Sequence, residues 1–125
     1  MIDIKTAQLI HDNLINEFGG SKGIRDAGLL EAALARPYAT FDKIDLYPNI
    51  EDKASAIFES IIINHPFMDG NKRIAYVLMR LLVLDNGFDI IATQDEKYKI
   101  TILASQGLIR FEDIKQWIAS RLIAD

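Results

Sequence analysis

Between Ile50 and Asp85 the chain carries two stretches of apolar residues at helical spacing, separated by a short polar turn that contains a proline and a glycine. Ala54, Ile57, Phe58, Ile61 and Ile62 form the stripe of the first stretch, and Ile74, Val77, Leu78, Leu81 and Leu82 that of the second. Two helices this apolar must bury themselves against the rest of the chain, so they are expected at the centre of the fold. Pro66 disfavours helical geometry in the residue before it, so the first helix should end around His65. Glu51 and Asp52 sit in its first turn, where acids suit the helix dipole. The second helix should start near Asn71 and stop at Asn86-Gly87.

Around this pair the sequence reads as further helices. Ile4, Ala7, Ile10, Leu14 and Phe18 predict one face of a helix over 3–18, stopped by Gly19-Gly20-Ser21-Lys22-Gly23. Asp26 is an N-cap candidate for a short helix carrying Leu29, Leu30, Ala33 and Leu34, which Pro37 ends. Residues 38–49 have no strong period and contain Pro48, which reads as an irregular excursion. Residues 88–92 read as briefly extended. Thr93-Gln94-Asp95-Glu96 is a capping-box pattern opening a helix that ends at Gly107. A last helix is predicted over 112–123, with Ile114, Trp117, Ile118 and Leu122 turned inward beside Phe111. No pair of alternating strands is visible. The expectation is an all-α fold, a compact single-domain bundle of about six helices over residues 1–125.

Composition narrows the chemistry. The chain has 125 residues, half of them apolar, and a formal charge of −4, against a general role in nucleic-acid binding. It has no cysteine, which excludes disulfides, thiol catalysis and cysteine-based zinc sites. His11 and His65 are its only histidines, too few for a His-rich metal centre. The acidic Met1-Ile2-Asp3 start does not resemble a signal peptide, and no apolar run approaches the length of a membrane span. No direct nucleic-acid partner, no membrane partner and a cytoplasmic location are therefore expected.

The turn His65-Pro66-Phe67-Met68-Asp69-Gly70-Asn71-Lys72-Arg73 is dense in reactive residue types. His65 can exchange a proton near neutral pH, and Asp69 can hold a hard cation. Gly70 and Asn71 open a helix whose free N–H groups can receive an anion. Lys72 and Arg73 lie in the first helical turn, where cations oppose the dipole. A bound nucleotide phosphate would reverse the sign of that penalty. A structural turn accounts for the same residues in another way: His65 ends a helix, Asp69 caps one, and the two cations face solvent. His11 falls beside the apolar stripe of the first helix and reads as a packing or groove residue. Arg80 shares a face with Arg73 and reads as a solvated charge, with a phosphate contact as the alternative. Trp117 reads as packing.

The nine residues from His65 to Arg73 resemble the signature loop of the Fic/Doc superfamily, H-x-F-x-[DE]-[GA]-N-x-[RK]. The stretch Gly23–Pro37 also resembles the death-on-curing (Doc) branch. The resemblance implies the Fic/Doc-like helical fold. It implies His65 as the base acting on a target hydroxyl, Phe67 as the pin of the loop, and Asp69 as the holder of Mg²⁺. It implies Gly70, Asn71 and Arg73 as contacts to nucleotide phosphates. Fic adenylyltransferases usually have glycine where Lys72 stands and arginine where Tyr76 stands, and both departures are similar to the Doc branch. Gly70, where Doc proteins can carry alanine, is the more Fic-like feature.

Lys72 would fill the space and charge of a second phosphate pocket. The Doc resemblance thus implies ATP as donor, transfer of its γ-phosphate to a Ser/Thr hydroxyl of a translation factor of the elongation factor Tu type, and inhibition of translation. It also implies neutralisation by a Phd-like antitoxin whose disordered tail folds into a groove as an amphipathic helix. Residues 38–49 are the candidate for a flap that aligns the target backbone. The alternatives are a Fic-type adenylyltransferase of a protein hydroxyl and a non-catalytic helical binding module.

Overall fold

The computed structural model describes residues 1–125, and its centre is the predicted helix pair. Helices α3 (Ile50–Asn64) and α4 (Asn71–Asp85) pack along each other more extensively than any other two elements. Every residue of α3 from Ala54 to Ile62 is buried, because other helices cover it on all sides. Against it stand α2 (Ala27–Ala35), α5 (Gln94–Ser105) and α6 (Phe111–Ala119), while α1 (Ile4–Phe18) packs on α4 and α2. The fold is thus mostly helical, with six helices in the expected order. Leu30, Ile57, Phe58, Ile61, Phe67, Ile74, Leu78, Leu82, Ile114 and Ile118 belong to one continuous apolar cluster. No helix is long and apolar enough to cross a membrane.

Burial of α3 encloses two of its carboxylates, and each has a cation. Glu59 takes Arg36 at 3.1 Å and Arg110 at 3.3 Å, and Asp52 takes Lys115 at 2.8 Å. A buried carboxylate is tolerated only when paired in this way. These pairs tie the end of α2 and the start and middle of α6 to the central helix.

The structure corrects three expectations. The excursion at 38–49 contains a hairpin of β1 (Thr40–Phe41) and β2 (Ile44–Asp45), with Asp42 and Lys43 both at positive φ, the backbone that a tight two-residue hairpin turn requires. The last helix ends at Ala119 rather than continuing to residue 123. The chain after it becomes β4 (Leu122–Ala124), antiparallel to β3 (Phe88–Ile90). The extended segment after α4 presents backbone groups that need partners, and only the distant C-terminal segment supplies them. Leu122 still packs on the core, but from a strand. In α1, finally, the buried residues are Ala7, His11 and Ile15, whereas Phe18 is 53% exposed.

Two ion pairs hold β3 and the start of α5 in place. Arg80 grips Asp89 through two bonds of 2.9 and 3.0 Å, so its guanidinium is occupied by a carboxylate. Arg121 stacks on Trp117 at 4.4 Å and bonds Glu96 at 2.8 Å. The Arg80 bond, followed by the Ile90 N–H, holds the Asp89 carboxyl down at about 2. The Thr93 N–H, followed by Arg121, does the same for Glu96, also to about 2. A carboxylate with a depressed folded-state pKa stabilises the fold above its unfolded value near 4 and loses that contribution as pH falls toward 2. Thermal unfolding should therefore show stability falling between about pH 4 and pH 2, and Asp89→Asn should flatten part of that slope.

Candidate functional site

The chain between α3 and α4 is held from below by the segment before α2. Phe67 pairs with Ile24 as an isolated bridge, and the Met68 N–H bonds the Gly23 carbonyl at 2.9 Å. The N–H groups of Arg25 and Asp26 both donate to the Pro66 carbonyl, at 2.8 and 3.0 Å. The Arg25 guanidinium donates to the His65 carbonyl at 2.6 Å and to the Asn64 carbonyl at 2.7 Å. A helix ends with carbonyls that lack partners, and Arg25 supplies two for α3. Asp26 meanwhile caps α2 by accepting the Leu29 N–H at 3.0 Å. The second sequence stretch thus serves as the support of the first.

His65 ends α3 in the left-handed conformation, φ 48° and ψ 61°, with its side chain exposed. That turn points the chain away from the helix axis. Phe67, 1% exposed, anchors it in the core with its ring flat on His11 at 4.1 Å. Asn71 closes the loop on itself. Its side-chain oxygen accepts the Phe67 N–H and its side-chain nitrogen donates to the Phe67 carbonyl, both at 3.0 Å. The amide of Asn71 is thereby spent on the loop. Gly70 is the N-cap of α4 at φ 69°, a left-handed conformation that favours glycine, and no side chain caps the helix.

Asp69 is exposed, and its carboxylate accepts the Ser21 N–H at 3.1 Å and the Gly70 N–H at 2.8 Å. The Ser21 bond, followed by the Gly70 bond, holds its carboxyl below the usual carboxylate range. It is therefore charged at neutral pH. Lys72 and Arg73 are exposed and have no carboxylate within 4 Å. Arg73 instead lies over the Phe18 ring at 4.0 Å, which orients the guanidinium and leaves its N–H edges free.

His65, Asp69, Gly70, Asn71, Lys72 and Arg73 all line one open cleft of about 680 Å³. Its opposite wall is α5, through Gln94, Lys97, Tyr98, Thr101, Ile102 and Ser105. Sequence reasoning missed that wall. These positions recur at helical spacing, but Thr101 among them is buried along with Ile100 and Ala104, so the cleft-facing side of the helix carried no mark of a site. Tyr76, at the cleft floor, has a buried hydroxyl with no partner, and burial pushes it up to about 12. It is no base at neutral pH. Arg25 and Ser21 were also missed, and no local pattern announces either of them.

The donor set suits a magnesium nucleotide. Mg²⁺ is typically held by one or two carboxylates together with phosphates and water rather than by a full protein cage. Asp69 offers one such carboxylate, each oxygen of which holds a single hydrogen bond. No cluster of three His, Cys, Asp or Glu residues competes with it. The uncapped start of α4 and the two unpaired cations offer what phosphates need.

Toxin Doc of Mycolicibacterium smegmatis (strain ATCC 700084 / mc(2)155) is 45% identical over 78 residues, which cover 62% of this chain and 60% of that protein. The match thus spans less than two thirds of the relative's length. The sequence pattern described as Fic/DOC family fits residues 1–83, a stretch that contains both the nine-residue loop and the segment that supports it and stops short of α5. With more than half of its length matching that pattern, the chain belongs to the Fic/DOC family.

Proposed function

We propose that the chain is a Doc-type toxin that transfers the γ-phosphate of ATP to a Ser or Thr hydroxyl of a translation factor, of the elongation factor Tu type, and so inhibits translation. One observation carries this reading. An exposed imidazole, a charged carboxylate and an uncapped helix start with two unpaired cations all face the same cleft. The name of the relative, Toxin Doc, supports the toxin assignment.

The residues divide the work as follows. The backbone N–H groups of Asn71, Lys72 and Arg73, with the Lys72 and Arg73 side chains, hold the phosphates and offset the charge that develops on them. Asp69 would hold Mg²⁺, which would supply further charge neutralisation at the phosphates. His65 takes the proton of the target hydroxyl as that oxygen bonds the γ-phosphorus, and the bond to the β–γ bridging oxygen breaks to release ADP. The hairpin of β1 and β2, with Phe41, Ile44 and Leu46 exposed, offers an edge against which a target backbone can align.

A Phd-like antitoxin is the proposed regulator. A groove of about 440 Å³ runs between α1 and α4, with Ile10, Leu14, Val77 and Leu81 on its walls and Arg73 and Lys97 on its rim beside the Asp89-paired Arg80. An amphipathic helix with an acidic polar face fits that chemistry.

The test uses purified protein, candidate translation factors, and ATP labelled on either the α- or the γ-phosphate. Label arriving from γ alone is expected. Label from α would replace the reading with adenylyl transfer, and label from neither would leave a binding module. Lys72→Gly tests what selects between the two transfers. If the Lys72 ammonium sets the orientation of the nucleotide, γ-transfer should fall about tenfold or more, the loss expected when a charged phosphate contact is removed, and AMP transfer should become detectable.

A further inference from the structure

His11 is a buried polar residue that the proposed chemistry leaves unused. It lies in the middle of α1 and is 1% exposed, between Ala7 and Ile15 on the buried face. Its ring stacks on Phe67 with an interplanar angle of 8°. Packing alone would explain a ring there, but it does not explain an imidazole. Nδ1 is buried and has no hydrogen-bond partner, a cost to stability that a phenyl ring would avoid. The compensating feature is the other nitrogen. Nε2 lies 2.7 Å from the carbonyl oxygen of Asp69, 58 residues along the chain. A carbonyl oxygen only accepts, so Nε2 carries a proton and donates it.

We propose that His11 is a positioning residue that fixes Asp69 through its main chain, so that the Asp69 carboxylate and the first N–H groups of α4 are held ready for a metal-bound nucleotide. This rests on the reading of Asp69 as the metal holder given above. Asp69 is exposed and precedes a glycine, and within its own loop only the Gly70 N–H holds its carboxylate. α1 and the turn that follows it restrain it at two points. His11 holds the carbonyl, and the Ser21 N–H holds the carboxylate at 3.1 Å. The turn approaches so closely that a Cβ at Gly20 would lie 2.7 Å from the carboxylate oxygen. Gly70 is part of the same contact, since a Cβ there would lie 3.7 Å from His11 Nε2. The N-terminal helix, which supplies no residue to the signature loop, thereby sets the geometry of its acid.

Two variants separate this role from packing. His11→Phe keeps a ring over Phe67 and removes the donor, whereas His11→Gln keeps an N–H donor and removes the ring. In the protein without ligand, amide hydrogen exchange at Ser21 and Gly70, the two N–H groups held by the Asp69 carboxylate, should quicken in His11→Phe, while exchange in the middle of α3 stays as in the wild type. With ATP present, the Mn²⁺ concentration for half-saturation should rise about 10–100-fold in His11→Phe, the range typical when a hydrogen bond behind a metal ligand is lost. His11→Gln should fall nearer the wild type in both measurements. Unchanged exchange and unchanged Mn²⁺ binding in His11→Phe would overturn the proposal, and so would a His11→Gln variant no better than His11→Phe. Nitrogen-15 spectra of the wild-type imidazole give a check that needs no variant: Nε2 should carry hydrogen, and a bare Nε2 would also overturn it. If the wild type binds no Mn²⁺ with ATP, the metal reading of Asp69 fails, while the exchange data and the imidazole spectrum still decide whether His11 holds the loop.

Discussion

Replacing His65 by alanine is expected to lower group transfer by about 10²–10⁴-fold, the range for loss of a general base, with the fold unchanged. The side chain is exposed and makes no hydrogen bond of its own, and the helix end is held by main-chain contacts instead. Arg25 binds the carbonyls of residues 64 and 65, and neither bond depends on the imidazole. Removal of an exposed side chain with no structural partner should shift stability by less than about 0.5 kcal/mol. Unchanged thermal unfolding with transfer near background is the combination expected. Transfer at the wild-type rate would remove His65 from the chemistry, and the Tyr76 hydroxyl, protonated far above neutral pH, could not replace it.

Phe67→Ala should do the opposite and act first on the fold. The ring is 1% exposed, stacks on His11 and belongs to the central apolar cluster. Truncation of such a ring typically costs about 3–5 kcal/mol, through lost burial and the cavity left behind. That is a large part of the stability of a domain this size and corresponds to a fall of roughly 10–20 °C in Tm. The loss of transfer should exceed what the unfolded fraction explains. Both hydrogen bonds from the Asn71 side chain close on the Phe67 main chain, so freeing that residue frees the start of α4 as well. A Tm within a few degrees of the wild type would show that the loop is pinned by its main-chain bonds alone.

Much of the fold was legible along the chain. Asp26 and Thr93 were readable as caps, and each accepts the N–H three residues on, Leu29 and Glu96 respectively. Such bonds lie within one helical turn, so residue type and spacing suffice to predict them. The C-terminal strand was not legible, because Leu122 continues a helical period and only its pairing with β3 removes it from the helix. Arg80 read as a solvated charge because Asp89, its bidentate partner, lies on a strand that the sequence marked only as extended. Phe18 read as core, yet it serves as the platform under Arg73.

Residue spacing by itself determined that this chain is a set of helices, that two of them are central, and that the turn between those two gathers an imidazole, a carboxylate and two cations. These are consequences of periodicity and of side-chain chemistry, and both act over a few residues. What holds that turn, and what faces it, was decided only in three dimensions. Arg25 behind His65, His11 and Ser21 on Asp69, and α5 across the cleft lie between 21 and 58 positions away in the chain from the residues they serve. Contacts over such separations depend on how whole helices pack, and no local pattern encodes them.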